Sequence, residues 1–107
     1  MINCTIADNN ADAIRGSGFT IINSIFYGNT GATTASADIS YSLIEGGFTG
    51  TGNINTDPLF ADGYTLQENS PCIDTGNPDV QYNDPDGTIA DMGAYYFPQE
   101  SNTLSID

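Results

Sequence analysis

Apolar or small residues alternate with polar ones in three short stretches of the first half of the chain, and the three stretches share one pattern. The central copy, residues 23–29, has the sequence NSIFYGN. A looser copy occupies residues 3–9, and another occupies residues 41–47. The copies begin 20 and 18 residues apart. Such a spacing is typical of one turn of a solenoid, in which equivalent strands stack on one another.

Because alternate residues of a strand point to opposite faces, the copies divide into two sets of stacked positions. One set is apolar or small throughout and predicts the core. The other set is mixed and predicts a partly solvated face. The predicted core positions are Ile2, Cys4, Ile6, Ile22, Ser24, Phe26, Ser40, Ser42 and Ile44, and the solvated ones are Asn3, Thr5, Ala7, Asn23, Ile25, Tyr27, Tyr41, Leu43 and Glu45. Three hairpin strands of an antiparallel sandwich are the alternative interpretation.

Asn9 and Asn29 fall at equivalent corners of two copies, where stacked amides can hydrogen-bond as a ladder. No segment shows a helical period of apolar residues, so the pattern predicts an all-β chain. The glycine-rich stretch 46–52 is not followed by a lysine or by a helix pattern. It therefore predicts a turn and not a phosphate-binding loop.

The second half carries three runs that resemble the C-terminal end of right-handed parallel β-helix proteins of the pectin-lyase-like type, which are secreted or surface-anchored in bacteria. These runs are DPLF at residues 57–60, SPCIDTG at residues 70–76 and DMGAYYF at residues 91–97. The resemblance implies a β-helix of about four coils over residues 1–98, with an irregular C-terminal cap over about 70–98 and a flexible tail at 99–107. It also implies a secreted or cell-surface location, although no signal peptide is visible.

Composition excludes several classes of partner. The chain has one arginine, no lysine, no histidine and fourteen acids, which gives a net charge of −13. Nucleic-acid binding needs cations that neutralise phosphates, and attraction to anionic lipid needs them as well. No apolar run is long enough to span a membrane. Metal cations and neutral glycans stay open as ligands.

The acids near the C-terminus are the best candidate metal site. Asp84, Asp86 and Asp91 supply oxygen ligands at short intervals around the turn at Gly87, and Asp74 and Asp79 are the candidates to complete the shell. Calcium prefers carboxylate and carbonyl oxygens, so calcium is the predicted ion. The alternative is that these acids are turn residues that hydrogen-bond their own backbone.

The resemblance covers lyases, hydrolases, adhesins and inert spacers, so function depends on the residues. The chain offers only Arg15 and tyrosines as proton acceptors, and the acids Asp8, Asp38 and Glu45 do not form an evident pair. A non-catalytic structural or glycan-binding terminal module is therefore the leading hypothesis. Tyr27 and Tyr41 are its candidate carbohydrate-binding residues, and a remnant of a carbohydrate-active enzyme is the alternative.

The first copy begins with no polar cap before it, which predicts that the open end associates with a second molecule. Ile2, Ile6 and Ile14 form the apolar layer of that predicted interface, and a two-fold dimer is the simplest closed arrangement. Cys4 and Cys72 lie in core-facing or turn contexts, and two free buried thiols are favoured over a disulfide.

Overall fold

A computed structural model of the chain describes residues 1–10, 17–31 and 36–99. Within these ranges, five short strands occupy the first half of the chain, and two single turns of 3₁₀ helix occur in the second half. The strands are β1 (Thr5–Ala7), β2 (Ser17–Ile22), β3 (Ile25–Tyr27), β4 (Ser36–Ser40) and β5 (Leu43–Ile44), and the 3₁₀ turns are Asp62–Tyr64 and Val80–Tyr82. Within the described ranges no helix is long and apolar enough to cross a membrane.

The strands form two small parallel sheets. One has three strands in the order β1-β3-β5, and the other pairs β2 with β4. Thr5 is opposite Ile25, and Ile25 is opposite Leu43. These pairs are 20 and 18 residues apart, so the predicted stacking register of the three copies is confirmed. The antiparallel sandwich is wrong, because every pairing between these strands is parallel.

The chain passes from one sheet to the other at a residue with a left-handed backbone. Asn3, Asn23 and Tyr41 hold this position in the three copies, with φ of 53°, 57° and 50°. Asparagine tolerates this conformation better than most residues do, whereas tyrosine is strained in it. The corner is therefore built into each copy of the repeat.

A ladder of small side chains follows each of these corners. The Ser24 hydroxyl accepts the amide of Cys4 at 3.2 Å, and the Ser42 hydroxyl accepts the amide of Ser24 at 3.1 Å. Asn53 Oδ1 accepts the amide of Ser42 at 3.1 Å. Each side chain thus satisfies a backbone donor of the preceding copy, which fixes the register. The predicted amide ladder is also present, since Asn9 Nδ2 donates to Asn29 Oδ1 at 2.9 Å.

Both faces of the three-stranded sheet are covered, which corrects the prediction of a partly solvated face. Phe26 and Ile44 are buried between the two sheets, as the core pattern predicts. They pack against Ile21 and Ile39, whereas the predicted core positions Ile22 and Ser40 are only partly buried, which corrects the prediction for β2 and β4. Ile25 and Leu43, on the opposite face, are fully buried as well. They pack against a second cluster contributed by the C-terminal half of the chain. Its buried members are Leu66, Cys72 and Met92.

The predicted right-handed parallel β-helix of about four coils with a C-terminal cap is wrong. The described residues form two small sheets that do not close into a solenoid, and regular strands end at Ile44. Beyond it only isolated bridges occur, such as Leu43 with Ile54 and Phe60 with Leu66. Glycines in stretch 46–52 and the prolines farther on interrupt strand pairing. Residues 58–97 instead pack across the open face of the three-stranded sheet.

Candidate acidic functional site

The three runs that resemble β-helix proteins hydrogen-bond to one another and to the sheet. Ser70 Oγ donates to the carbonyl of Pro58, and the amide of Met92 donates to the carbonyl of Cys72 at 2.9 Å. The amide of Gly93 donates to the carbonyl of Asn23 at 2.7 Å. These bonds hold the C-terminal half of the chain against the strands and bring its acids together.

Close packing at Gly93 explains why a glycine occupies this position. Its φ is 97°, and a Cβ there would lie 2.7 Å from Ile25 Cδ1 and 2.9 Å from Thr5 Oγ1. Real Cβ atoms do not approach other atoms so closely, and a side chain would also be strained at this φ. The missing side chain therefore lets the segment that contains Asp91 lie directly on the sheet.

Asp91 is the centre of the acidic site. Its side chain is fully buried. Asp91 Oδ1 accepts the amide of Asp74 at 2.8 Å, and Oδ2 accepts the amide of Phe97 at 2.6 Å. One carboxylate thus joins two stretches of chain that are distant in sequence. Burial nevertheless raises the pKa of Asp91, although these two amide bonds act in the opposite direction.

Asp74, Asp84 and Asp91 form a triad in which one carboxylate oxygen of each residue lies within 4.8 Å of the others. Asp84 is 7% exposed, and its Oδ2 atom is buried without a hydrogen-bond partner. Burial, followed by the charge of Asp91, raises the pKa of Asp84 from 3.8 to about 7. The described residues include no lysine, arginine or histidine that would neutralise the triad.

Asp86 has a different role from the other acids of the predicted metal site. Asp86 Oδ1 accepts bonds from the amide and hydroxyl of Thr88, and Oδ2 accepts the amide of Gln99 at 2.7 Å. The Thr88 hydroxyl is the main cause of the lowered pKa of Asp86. The carbonyl of Thr88 accepts the amide of Asp84 at 3.0 Å. The turn interpretation thus applies to Asp86, whereas Asp74, Asp84 and Asp91 converge, and calcium binding by them stays a prediction.

The two tyrosines proposed to bind carbohydrate do not share one surface. Tyr27 ends β3 and packs against the cluster around Leu43, whereas the ring of Tyr41 lies against Gly52, close to the other end of the sheet. The charge of Asp57 raises the pKa of the Tyr27 phenol. Glycan binding by this pair stays a prediction.

Two of the acids considered for hydrolysis, Asp8 and Glu45, both lie beside Gly28, whereas the third is on the other sheet. Asp38 lies on β4, in the two-stranded sheet. Asp8 accepts a bond from the Tyr64 hydroxyl at 2.8 Å, and Glu45 accepts the amide of Gly28 at 2.8 Å. Asp8 and Glu45 therefore serve as local acceptors at the corner after β1 and β3. Arg15 lies outside the described residues.

The residues of the predicted self-association surface differ in exposure. Ile2 is 52% exposed, whereas Ile6 is partly buried against the core between the sheets. Ile14 lies outside the described residues.

Neither Cys4 nor Cys72 forms a disulfide, and burial raises the pKa of Cys72 to about 12, so this thiol stays protonated at neutral pH.

Asn23 is a residue of this region that sequence reasoning missed. It is fully buried, its Oδ1 accepts the amide of Asn77 at 2.7 Å, and its Nδ2 has no partner. Its place in the repeat indicated a solvated position, and no local signal points to a partner 54 residues away.

Comparison of the chain with protein-family models, with curated proteins and with solved structures finds no match.

Proposed function

We propose that the chain is a non-catalytic structural module in which calcium, held by Asp74, Asp84 and Asp91, fastens the C-terminal half onto the strands. The buried and unpartnered Oδ2 atom of Asp84 carries the proposal. Asp84 Oδ1 accepts the amide of Asp91 at 3.3 Å, so Oδ2 is the oxygen without a donor. A buried carboxylate with one unpaired oxygen and no counter-charge is costly, and a divalent cation within the triad removes that cost.

The position of the triad supports a structural role. Asp74, Asp84 and Asp91 lie in three separate stretches of the second half of the chain, which lack regular strands. An ion that binds all three stretches stabilises the folded state and has little affinity for the unfolded chain, where the acids are far apart. Extracellular calcium modules bind weakly, in the range of about 0.1–1 mM. That range suits the secreted or surface location implied by the resemblance.

Calcium is expected to raise the thermal midpoint of the protein. At about 10 mM calcium and a dissociation constant near 0.1 mM, linkage adds about 2.7 kcal/mol. For a chain of this size that gain corresponds to an increase of about 10 °C. Thermal unfolding followed by circular dichroism, with calcium or with chelator near neutral pH, measures the shift, and calorimetric titration measures the binding.

Two matched variants distinguish calcium binding by the triad from a general effect of calcium on an acidic chain. Asp84→Asn removes the charge of the unpartnered carboxylate and is expected to abolish the calcium response. Asp79→Asn removes one charge from an exposed acid outside the triad, so it should keep the response. The proposal fails if the wild-type protein shows neither a calorimetric signal nor a change of midpoint with calcium, or if both variants respond like the wild type.

Self-association is a second predicted property, and the edge of the three-stranded sheet at β1 favours it. Within the described residues β1 is an edge of the three-stranded sheet, and Met1 and Ile2 beside it are 43% and 52% exposed. Light scattering at micromolar concentration is expected to give the mass of a dimer. Ile2→Asp should yield monomers that remain folded, because Ile2 contributes little to the core.

Val80→Asp is the control, since Val80 is 79% exposed on the second 3₁₀ turn. It should leave the dimer intact. A wild-type mass equal to one chain would contradict the prediction. Ile6→Asp is less informative, because Ile6 packs against the core and its replacement is expected to unfold the protein.

A further inference from the structure

A cleft of about 200 Å³ opens beside the triad and includes none of the predicted carbohydrate-binding or interface residues. Its walls come from the corner before β1, from the stretch after the second 3₁₀ turn, and from the end of the C-terminal segment. Its lining residues include Asn3, Tyr82, Asp84 and Tyr96. Asp84 is therefore common to the triad and to the cleft.

The walls combine negative charge with aromatic surface. Asp84 is more than nine-tenths buried, and its Oδ2 atom has no partner. Tyr82 and Tyr96 line the same cleft, and Tyr96 is 38% exposed. The face of a tyrosine ring attracts cations, and a carboxylate beside it strengthens that preference. An anionic ligand is excluded by the same charge.

The part of the chain that the structure describes provides no cationic side chain for the cleft. The chain has no lysine or histidine, and its one arginine lies outside the described residues. The N-terminal ammonium of Met1 donates to the carbonyl of Thr20 at 2.8 Å, in the two-stranded sheet. Residues 1–10, 17–31 and 36–99 therefore leave the cleft without a positive charge of their own.

We propose that this cleft binds an alkylammonium group, with the cation against Tyr82 and Tyr96 and with Asp84 as its counter-charge. The volume is smaller than the roughly 300–1,000 Å³ of clefts for drug-sized ligands, which suits one compact cationic group. The group comes either from a free quaternary ammonium compound or from a lysine side chain of another protein. Binding of the alkylammonium group does not require calcium, and calcium at the triad would compete with it for Asp84.

Nuclear magnetic resonance titration of the calcium-free protein with choline tests the proposal at about pH 8, where the Asp84 carboxyl group is ionised. A dissociation constant on the order of 1 mM is expected for a ligand of this size. The matched probe is the neutral alcohol in which a tert-butyl group replaces the trimethylammonium group, and it should bind at least about tenfold more weakly. Lysine amide tests whether the alkylammonium group comes from a lysine side chain, since tighter binding of lysine amide than of choline indicates a protein partner. Its side-chain-acetylated form lacks the side-chain charge and is the neutral control.

Neighbouring tyrosines provide the matched variants. Tyr96→Ala should weaken choline binding about tenfold. Tyr95→Ala should leave it unchanged, because Tyr95 is 54% exposed and does not line the cleft. Asp84→Asn should weaken binding as well. Tyr96→Ala keeps the experiment decisive if Asp84→Asn does not fold.

Three results would overturn the proposal: no binding of choline or of lysine amide, equal binding of the neutral alcohol, or equal effects of the two tyrosine variants. Calcium adds a separate criterion. If calorimetry shows that calcium binds, then calcium must weaken choline binding, and an unchanged affinity rules out Asp84 as the shared residue. If calcium does not bind, the choline result stands by itself.

Discussion

Asp91→Ala is expected to lower the free energy of unfolding by about 3 kcal/mol, the largest effect of any single acid among the described residues. The variant removes the acceptor of the Asp74 amide and the acceptor of the Phe97 amide. Each partly buried donor without a partner costs about 1–3 kcal/mol, and relief of the repulsion with Asp84 offsets part of the total. Urea unfolding of the calcium-free protein, followed by circular dichroism, measures the loss.

Asp91→Asn and Asp79→Ala are the controls for this prediction. Asparagine keeps the shape of Asp91 and one acceptor oxygen, so an intermediate loss is expected. Asp79 is exposed and is not part of the triad, so its replacement should change stability by no more than about 0.5 kcal/mol. Asp91 would be unimportant for the fold if Asp91→Ala and Asp79→Ala unfolded at the same urea concentration as the wild type.

The strand register could be predicted from sequence because the pattern is local and repeated. Ser24 and Ser42 occupy equivalent places in two copies, and their small side chains can satisfy the backbone of the preceding copy. Any other register would move the apolar residues of one copy onto the polar positions of the next. The offsets of 20 and 18 residues therefore gave the pairings of Thr5, Ile25 and Leu43.

The covered outer face could not be predicted, because its contacts are distant in sequence. Thr5 Oγ1 accepts the amide of Ala94, and Asn3 Nδ2 donates to the carbonyl of Asp91. These partners are 89 and 88 residues apart, and no periodicity spans such a distance. Ile25 and Leu43 were the available signal, since two large apolar residues at stacked positions predict a face that something covers.

The prediction of further coils in the second half was wrong for a related reason. Motif resemblance suggested further coils, but a coil needs a strand that can pair along its length. Asp57-Pro58 and the glycines of stretch 46–52 prevent that. The acids illustrate the same limit: Asp84 and Asp91 were predicted together from their spacing, whereas the role of Asp86 in a turn depends on the orientation of Thr88 and Gln99.

The stability of the calcium-free protein is expected to fall as the pH rises from about 4 to 7, the opposite of ordinary acid denaturation. The pKa of Asp84 is raised in the folded state from 3.8 to about 7, and burial also raises the pKa of Asp91. A carboxyl group with a raised pKa stabilises the fold while it is protonated in the folded state, and this contribution is lost as pH rises through the folded pKa. The slope for one retained proton is at most about 1.4 kcal/mol per pH unit. Asp86, whose pKa is lowered, contributes the opposite slope only below about pH 4.

Urea unfolding at a series of pH values in chelator measures this slope, and Asp84→Asn should flatten it, because the amide does not ionise. Asp79→Asn should retain the wild-type slope, which separates the triad from the general repulsion of a chain with net charge −13. Calcium should reverse the trend above about pH 6, since the ion binds the ionised carboxylates and replaces the lost proton. Equal slopes for the wild type and Asp84→Asn would show that Asp84 ionises in the folded protein as it does in the unfolded chain. In that case the triad would be solvated, and the argument for a cation among its carboxylates would fail with it.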